Sequence, residues 1–282
     1  MAILLDGKLT SAKVKEEVAA KIAAACADGK APPCLAVVIV GDNPASKVYV
    51  ANKKKACEAV GIRSLSYELP GETTQDELLA LVDRLNGDAD VNGILVQLPL
   101  PGHIDEQTVI ERISPDKDVD AFHPSNVGRI MLGLDGFAPC TPAGIMRLLA
   151  EYGISAAGKN CVVVGRSNIV GKPMALLLLK ANGTVSVCHS KTGDLAFHTR
   201  QADILVVAIG RAKFITADMV SEGTVIVDVG MNREDGKLCG DVDFEPCAQK
   251  ASYITPVPGG VGPMTIAMLM ENTFRAWERA QR

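Results

Sequence analysis

The chain has 282 residues, of which 48% are hydrophobic and 4% are aromatic, and its formal net charge is −4. This length suits two compact domains, and the hydrophobic content is enough to form a sizeable core in each. The small negative charge, the few aromatic residues and the lack of a basic stripe argue against a nucleic-acid-binding protein.

The first ten residues, MAILLDGKLT, lack the basic flank of a signal peptide. No apolar run approaches the roughly 20 residues that span a bilayer. The eight cysteines form no CxxC pair, which favours reduced thiols over a disulfide framework or a zinc site. These features predict a soluble cytoplasmic protein with no role at a membrane and no zinc site.

Strand-like and helix-like segments alternate through most of the chain, which predicts an α/β fold with parallel sheets. We expect a first α/β domain at residues 1–140 plus 264–282 and a Rossmann-like cofactor domain at 141–263. A capping box at Thr74 and Glu77 starts one helix, Thr141 is a candidate N-cap, and residues 114–141 look irregular. The predicted elements are helix 11–27, strand 34–40, helix 46–60, strand 62–68, helix 75–86, strand 93–98, helix 142–152, strand 161–164, helix 173–181, strands 184–188, 203–208 and 224–229, and helix 264–281.

The segment CVVVGRSNIVGKP, residues 161–173, joins a strand to a helix through a glycine-containing loop. Such a junction binds phosphate because backbone N–H groups and the helix dipole point at the anion. The pattern is not a regular GxGxxG, since Ser167 replaces the second glycine and the spacing from Gly165 to Gly171 is one residue too long. Despite this departure, the order of strand, glycine-containing loop and helix favours a dinucleotide site over a plain strand–turn–helix junction.

The next strand, 184–188, ends in His189-Ser190-Lys191. NAD-binding proteins place an acidic residue at this point for the ribose 2′-hydroxyl. Ser190 and Lys191, together with Arg166 from the preceding loop, can instead hold a 2′-phosphate. An ordinary polar turn is the alternative, but the pattern favours NADP.

Polar residues in the first half form two candidate groups. Tyr49 and Lys53 are four residues apart, so on a helix the phenol can approach the amine. By itself, the run Lys53-Lys54-Lys55 is more typical of a solvated helix face. Gln97 follows a buried strand at the edge where α/β sheets bind ligands, although it could also serve only loop backbone groups.

Two loops carry further candidates. Residues 115–124, PDKDVDAFHP, cluster carboxylates that could bind Mg²⁺ or recognise a donor-rich heterocycle, or could form a surface turn. Residues 255–265, TPVPGGVGPMT, place glycines and prolines just before a helix, so that the backbone can approach a ligand closely.

Taken together, these segments resemble the bifunctional methylenetetrahydrofolate dehydrogenase/methenyltetrahydrofolate cyclohydrolase family. The resemblance covers essentially the whole chain. Its motifs are LDGK, GDNPASKVYVANKKKA, GILVQLPLP, PDKDVDAFHP, PCTPAG, GRSNIVGKP, CHSKT and TPVPGGVGPMT.

The resemblance implies oxidation of 5,10-methylenetetrahydrofolate with NADP⁺ and hydrolysis of the product to 10-formyltetrahydrofolate, without a metal, in a homodimer built through the cofactor domain. It implies that Lys53 handles protons, with Tyr49 and Gln97 around it, and so overturns the solvated-face interpretation. It further implies that Asp120 holds the pterin ring. By the same resemblance, Pro258, Gly259 and Gly260 line the folate, and the cofactor-binding positions are Gly165, Arg166, Ser167, Ser190 and Met231, with Thr265 a possible addition.

One position departs from the family. Ala121 follows Asp120 where the family usually has glycine, and if that position has a positive φ, alanine strains the loop. Two other functions remain open at this point: a different NAD(P)-dependent dehydrogenase, acting on a hydroxy or amino acid, and a non-enzymatic NADP-binding module. Neither requires Tyr49, Lys53, Gln97 and Asp120 together.

Overall fold

The computed structural model describes residues 1–281, which form two compact units. The first unit contains residues 12–140 and those from Ile266 onward, and the second contains Met1–Ser11 and Thr141–Thr265. The elements along the chain are β1 Ile3–Leu4, α1 Gly7–Ala27, β2 Cys34–Val40, α2 Pro44–Val60, β3 Arg63–Leu69, α3 Gln75–Gly87, β4 Gly93–Val96, α4 Glu106–Arg112, α5 Pro124–Met131, α6 Cys140–Glu151, β5 Asn160–Val164, α7 Gly171–Lys180, β6 Thr184–Cys188, α8 Leu195–Thr199, β7 Ile204–Val207, β8 Val225–Asp228, β9 Asn232–Glu234, β10 Lys237–Cys239, α9 Phe244–Lys250, β11 Tyr253–Ile254 and α10 Val261–Ala280.

The first unit is built on a three-stranded parallel sheet in the order β3-β2-β4. Every residue of β2 and β4 is buried, as expected for parallel strands covered on both faces. The predicted capping box is present at the start of α3, where Thr74 accepts a hydrogen bond from the backbone of Glu77 and the Glu77 side chain accepts one from Thr74. The last helix packs here, since the Trp277 indole donates to the Ala31 carbonyl at 3.0 Å.

The second unit contains a six-stranded sheet in the order β1-β11-β8-β7-β5-β6, and all its neighbouring strands are parallel. From β5 the chain goes outward to β6 and then returns past β5 to β7. The strand order therefore reverses between β5 and β7, and open α/β sheets bind ligands at the carboxyl ends of strands at such a point. The predicted fold class, an α/β protein of two units with a Rossmann-like parallel sheet, is confirmed.

The structure differs from the sequence prediction in the boundary between the units, in the segment 114–141 and in the start of the last helix, among other places. Residues 1–11 lie in the second unit, because β1 pairs with β11 there. The segment 114–141 is not wholly irregular, since the His123 side chain accepts from Ser125 N and caps α5. α10 begins at Val261, because Pro263 is tolerated in a first turn whose N–H groups need no intrahelical acceptor.

No helix among residues 1–281 is both long enough and apolar enough to cross a membrane.

Candidate active site and cofactor site

The three consecutive lysines on α2 have different environments. Lys53 is only 8% exposed, whereas Lys54 and Lys55 are exposed to solvent. The Lys53 amine donates a hydrogen bond of 3.0 Å to Gln97 Oε1. Tyr49 lies one helical turn earlier, and partial burial raises the pKa of its phenol, which keeps the hydroxyl protonated at neutral pH. Lys53 is thus separated from the solvated face that its neighbours form.

Gln97 comes directly after β4 and links Lys53 of α2 to the backbone that follows this strand. Its Oε1 accepts from Lys53, while its Nε2 donates to the Leu98 carbonyl at 2.6 Å. The second bond fixes which end of the amide faces the lysine. Gln97 therefore makes both contacts at once, one with the loop backbone and one with Lys53.

The carboxylates of the 115–124 segment have different surroundings. Asp118 is buried and accepts from His123 N at 2.9 Å and from Asn126 Nδ2 at 2.9 Å, so it holds the loop in shape. Asp116 is exposed. Within residues 1–281, no group of three or more His, Cys, Asp or Glu side chains could hold a metal ion. The Asp118 oxygens are engaged with the loop itself.

Asp120 lies close to Lys53 and Cys140. Burial raises the pKa of the Asp120 carboxyl, while the positive charge of Lys53 and a hydrogen bond with Cys140 lower it. Burial is the largest of these effects, so the pKa of the Asp120 carboxyl lies above its usual value. A carboxylate with two acceptor oxygens can bind paired N–H groups of a heterocycle.

Ala121 has φ +60, the left-handed conformation that favours glycine. This conformation costs an L-residue about 1–2 kcal/mol. The Ala121 methyl group is fully buried, and burial of one such group returns about 0.8 kcal/mol. The backbone strain predicted for Ala121 is therefore present, and burial of the methyl group offsets part of its cost. The neighbouring Asp120 nevertheless remains close to Lys53.

Two buried residues of this cluster were not predicted. Burial and then the charge of Asp120 raise the pKa of the Cys140 thiol well above its usual range, so the thiol stays protonated. Asn272 donates to the Val119 carbonyl at 2.9 Å and to the Ala138 carbonyl at 3.0 Å. Cys140 occurs in the motif PCTPAG, whereas a single asparagine on a helix far along the chain carries no sequence signal.

In the second unit, the loop after β5 is built around two glycines. Gly165 has φ +133, and a Cβ atom there would lie 2.3 Å from the Ala208 carbonyl oxygen. At Gly171, a Cβ atom would lie 2.3 Å from the Gly165 carbonyl oxygen. Ser167 Oγ accepts from Val170 N at 3.2 Å and Gly171 N at 3.3 Å, and Arg166 is exposed. α7 begins at Gly171, two residues before the predicted start, so the loop leads directly into a helix N-terminus.

The turn after β6 lies beside this loop, because Val164 and Cys188 are register partners at the ends of adjacent strands. His189 Nδ1 accepts from Lys191 N at 3.2 Å and so shapes the turn. The side chains of Ser190 and Lys191 are exposed. The strand ends without an acidic residue, which fits a nucleotide with a 2′-phosphate.

The remaining candidates also belong to the second unit. The Gly259 carbonyl accepts from Lys8 N at 3.1 Å, and a Cβ atom at Gly260 would lie 2.7 Å from the Pro256 carbonyl oxygen, so the loop containing Pro258 is tightly packed. Thr265 Oγ1 lies 2.9 Å from Thr141 Oγ1, so Thr141 bonds across to another helix instead of capping its own. Met231 is exposed.

The carboxyl edge of the second sheet fits a dinucleotide. The two glycines leave a cradle that side chains would fill, a helix N-terminus faces it, and Arg166 supplies positive charge. The first unit adds a buried amine, an amide and a carboxylate. The fold and the cofactor edge are those of a two-unit α/β dehydrogenase.

The chain matches two family models. Residues 5–120 match the catalytic domain, and residues 139–281 match the NAD(P)-binding domain, of tetrahydrofolate dehydrogenase/cyclohydrolase. The chain therefore belongs to the tetrahydrofolate dehydrogenase/cyclohydrolase family.

Individual relatives agree with the family models. The chain is 61% identical to the bifunctional protein FolD of Campylobacter curvus, over 97% of this chain and 95% of the relative. It is 60% identical to the protein of the same name from Agathobacter rectalis, over 99% of this chain and 100% of the relative.

Two solved structures extend the comparison. A methylenetetrahydrofolate dehydrogenase/cyclohydrolase from Campylobacter jejuni has a TM-score of 0.97 at 57% identity and covers 99% of each chain. The enzyme from Trypanosoma brucei, solved with NADP cofactor and an inhibitor, has a TM-score of 0.95 at 38% identity and covers 100% of this chain and 99% of that one.

Proposed function

We propose that the polar cluster around Lys53 serves both reactions of this family. The chain oxidises 5,10-methylenetetrahydrofolate to 5,10-methenyltetrahydrofolate with NADP⁺ and hydrolyses that product to 10-formyltetrahydrofolate, as an enzyme of folate one-carbon metabolism. The observation that carries the residue assignment is the burial of Lys53 against Gln97, while Lys54 and Lys55 remain in solvent.

In the dehydrogenase step, NADP⁺ when bound accepts a hydride from the bridging carbon of the folate. Gly165, Ser167 and the N-terminus of α7 hold the phosphates, because the glycine lets the backbone approach the anion closely and the positive end of the helix dipole favours negative charge. Arg166 and Ser190 recognise the 2′-phosphate. Met231 is proposed as a further cofactor contact.

In the cyclohydrolase step, water adds to the electrophilic methenyl carbon. Lys53 relays a proton from this water to the ring nitrogen as the carbon–nitrogen bond breaks. Gln97 holds the amine through its 3.0 Å hydrogen bond, and the protonated Tyr49 phenol can donate to the substrate. Pro258, Gly259 and Gly260 are proposed to line the folate.

Asp120→Asn should weaken folate binding much more than NADP⁺ binding. The amide puts a donor where a carboxylate oxygen accepts from the pterin, and an unpaired polar contact costs about 1–3 kcal/mol, or about five- to a hundredfold in affinity. The Michaelis constants for both substrates measure this. Asp116→Asn is the matched control, because Asp116 is exposed in the same segment. A normal folate constant in Asp120→Asn would rule out the pterin-binding role.

The overall activity is tested on a substrate panel. NADPH formation is followed with methylenetetrahydrofolate, several hydroxy acids and several amino acids as separate substrates. Turnover of the folate alone supports the proposal. Turnover of a hydroxy or amino acid in its place identifies a different dehydrogenase, and tight NADP binding with no turnover identifies a binding module.

We also propose a homodimer formed through the second unit. Among the described strands, β6 lies at the outer edge of its sheet and leaves backbone groups available for pairing. Apolar side chains are exposed nearby, since Val187 on β6 is 41% exposed and Leu179 on α7 is 60% exposed. Light scattering should give a mass about twice 29.7 kDa, and Val187→Glu should shift it to the monomer. A monomer mass for the unmodified chain would contradict this arrangement.

A reducing, cytoplasmic location is proposed from the cysteines. All eight are free thiols, and most of them are buried in the two cores. Proteins of oxidising compartments use cysteines mainly in disulfides.

A further inference from the structure

A buried carboxylate behind the cofactor loop has no role in the chemistry described so far. Asp241 is fully buried and precedes α9. Its Oδ2 accepts from Ile209 N at 2.7 Å and Gly210 N at 3.0 Å. Its Oδ1 accepts from Arg211 N at 2.7 Å and from Asn232 Nδ2 at 2.9 Å. Both oxygens are therefore fully engaged.

The groups that Asp241 binds belong to two different loops. Residues 209–211 follow β7, and residues 230–232 follow β8, so both loops emerge from the carboxyl edge of the sheet. The first loop begins directly after Ala208, whose carbonyl lies against Gly165. The second loop contains the exposed Met231. Asp241 thus ties the loop after β7, which borders the phosphate-binding turn, to the loop after β8.

A second buried carboxylate holds Asp241 in place. Asp228 Oδ1 accepts from Asp241 N at 2.9 Å and from Gly230 N at 2.9 Å. Its Oδ2 accepts from Val242 N at 2.9 Å. Burial raises the pKa of Asp228 to about 6.

Both carboxylates are approached by glycine backbone. A Cβ atom at Gly230 would lie 2.3 Å from Asp241 Oδ1, and one at Gly240 would lie 1.8 Å from Asp228 Oδ2. Only a residue without a side chain allows these approaches. The local sequence is thus built around the two acids.

We infer that Asp241 is a positioning residue for NADP(H): it sets the two loops after β7 and β8 in the conformation that binds the nucleotide. Buried carboxylates that accept several backbone N–H bonds fix loop geometry firmly, because each N–H left without a partner is costly. The inference depends on the proposed cofactor site at this edge of the sheet. It adds a residue that does not itself touch the nucleotide.

The test compares Asp241→Asn with the unmodified full chain. The amide keeps the shape of the side chain but offers one acceptor oxygen and turns an NH₂ group toward backbone donors. NADPH binding, measured directly by fluorescence, should weaken about tenfold or more. The Michaelis constant for NADP⁺ should rise similarly, while that for methylenetetrahydrofolate stays within about twofold. Cyclohydrolase activity on methenyltetrahydrofolate, assayed without nucleotide, should remain.

The matched control is Asp203→Asn. Asp203 Oδ2 also accepts a backbone N–H, from Asn160 at 2.8 Å, but at the amino end of the same sheet. Its loss should leave NADPH affinity unchanged. Equal weakening of NADPH binding in both variants would show a general effect of destabilising the sheet and would overturn the inference.

A milder variant decides the matter if Asp241→Asn does not fold. Asn232→Ala removes one hydrogen bond to Asp241 from the second loop and should weaken NADPH binding by a few-fold with little change in melting temperature. Unchanged affinity in the folded Asp241→Asn protein, or in Asn232→Ala when it is the only folded variant, overturns the inference. If the unmodified chain itself fails to bind NADPH, the proposed cofactor site is wrong and this inference falls with it.

Discussion

Lys53→Met should reduce cyclohydrolase activity at least about a hundredfold, because positioned proton transfer contributes about 10²–10⁴ in rate. Methionine occupies a similar volume in the buried position but cannot exchange a proton, so the fold and NADPH binding should be retained. The loss is measured as the decay of methenyltetrahydrofolate absorbance, corrected for the uncatalysed reaction.

The chain supplies two controls next to this residue. Lys54→Met and Lys55→Met change the same chemical group on the exposed face of α2 and should retain most of the activity. Similar losses at all three positions would show that the lysine run acts only through its overall charge. A fully active Lys53→Met protein would remove the lysine from the mechanism.

The double variant Arg166→Ala, Ser190→Ala should lower the preference for NADP⁺ over NAD⁺ about a hundredfold or more. Each charge-assisted hydrogen bond to the 2′-phosphate contributes about 1.5–3 kcal/mol. NAD⁺ lacks this phosphate, so its binding does not depend on these bonds. The ratio of kcat/KM for NADP⁺ to that for NAD⁺ measures the change. Lys191 remains in the double variant and keeps part of the preference.

Lys159→Ala is the control for overall charge, because this exposed lysine lies just before the amino end of β5. Its specificity ratio should equal that of the unmodified chain. Preference of the unmodified chain for NAD⁺, or an unchanged ratio in the double variant, would contradict the assignment of the 2′-phosphate site.

The main strands of both units were predictable from sequence because they are apolar runs, or segments rich in β-branched and alternating apolar residues, between turn residues. β2 and β6 have the predicted bounds, and the capping box correctly marked the start of α3. The short strands β1 and β11 were not predicted, because two-residue strands have no periodicity of their own. Their pairing is a long-range property of the folded chain, and it moves residues 1–11 into the second unit.

The candidate site was also only partly predictable, because contacts between residues distant in the chain leave no local sequence pattern. Helical spacing could pair Tyr49 with Lys53, but only the fold distinguishes the buried Lys53 from the exposed Lys54. Local sequence also treats Asp118 and Asp120 alike, although Asp118 serves the loop backbone. Asn272 and Asp241 were missed because their hydrogen-bond partners are distant in the chain, as with the bond from Asn272 to Val119.

The coupling of the two reactions in one chain is tested most directly by a single time course. Purified protein is mixed with methylenetetrahydrofolate and NADP⁺, and NADPH and 10-formyltetrahydrofolate are measured together. We predict that both products form faster than without protein, and that Lys53→Met abolishes catalysed formyl production. Formation of NADPH while the methenyl compound accumulates and hydrolyses only at its uncatalysed rate would contradict the bifunctional assignment.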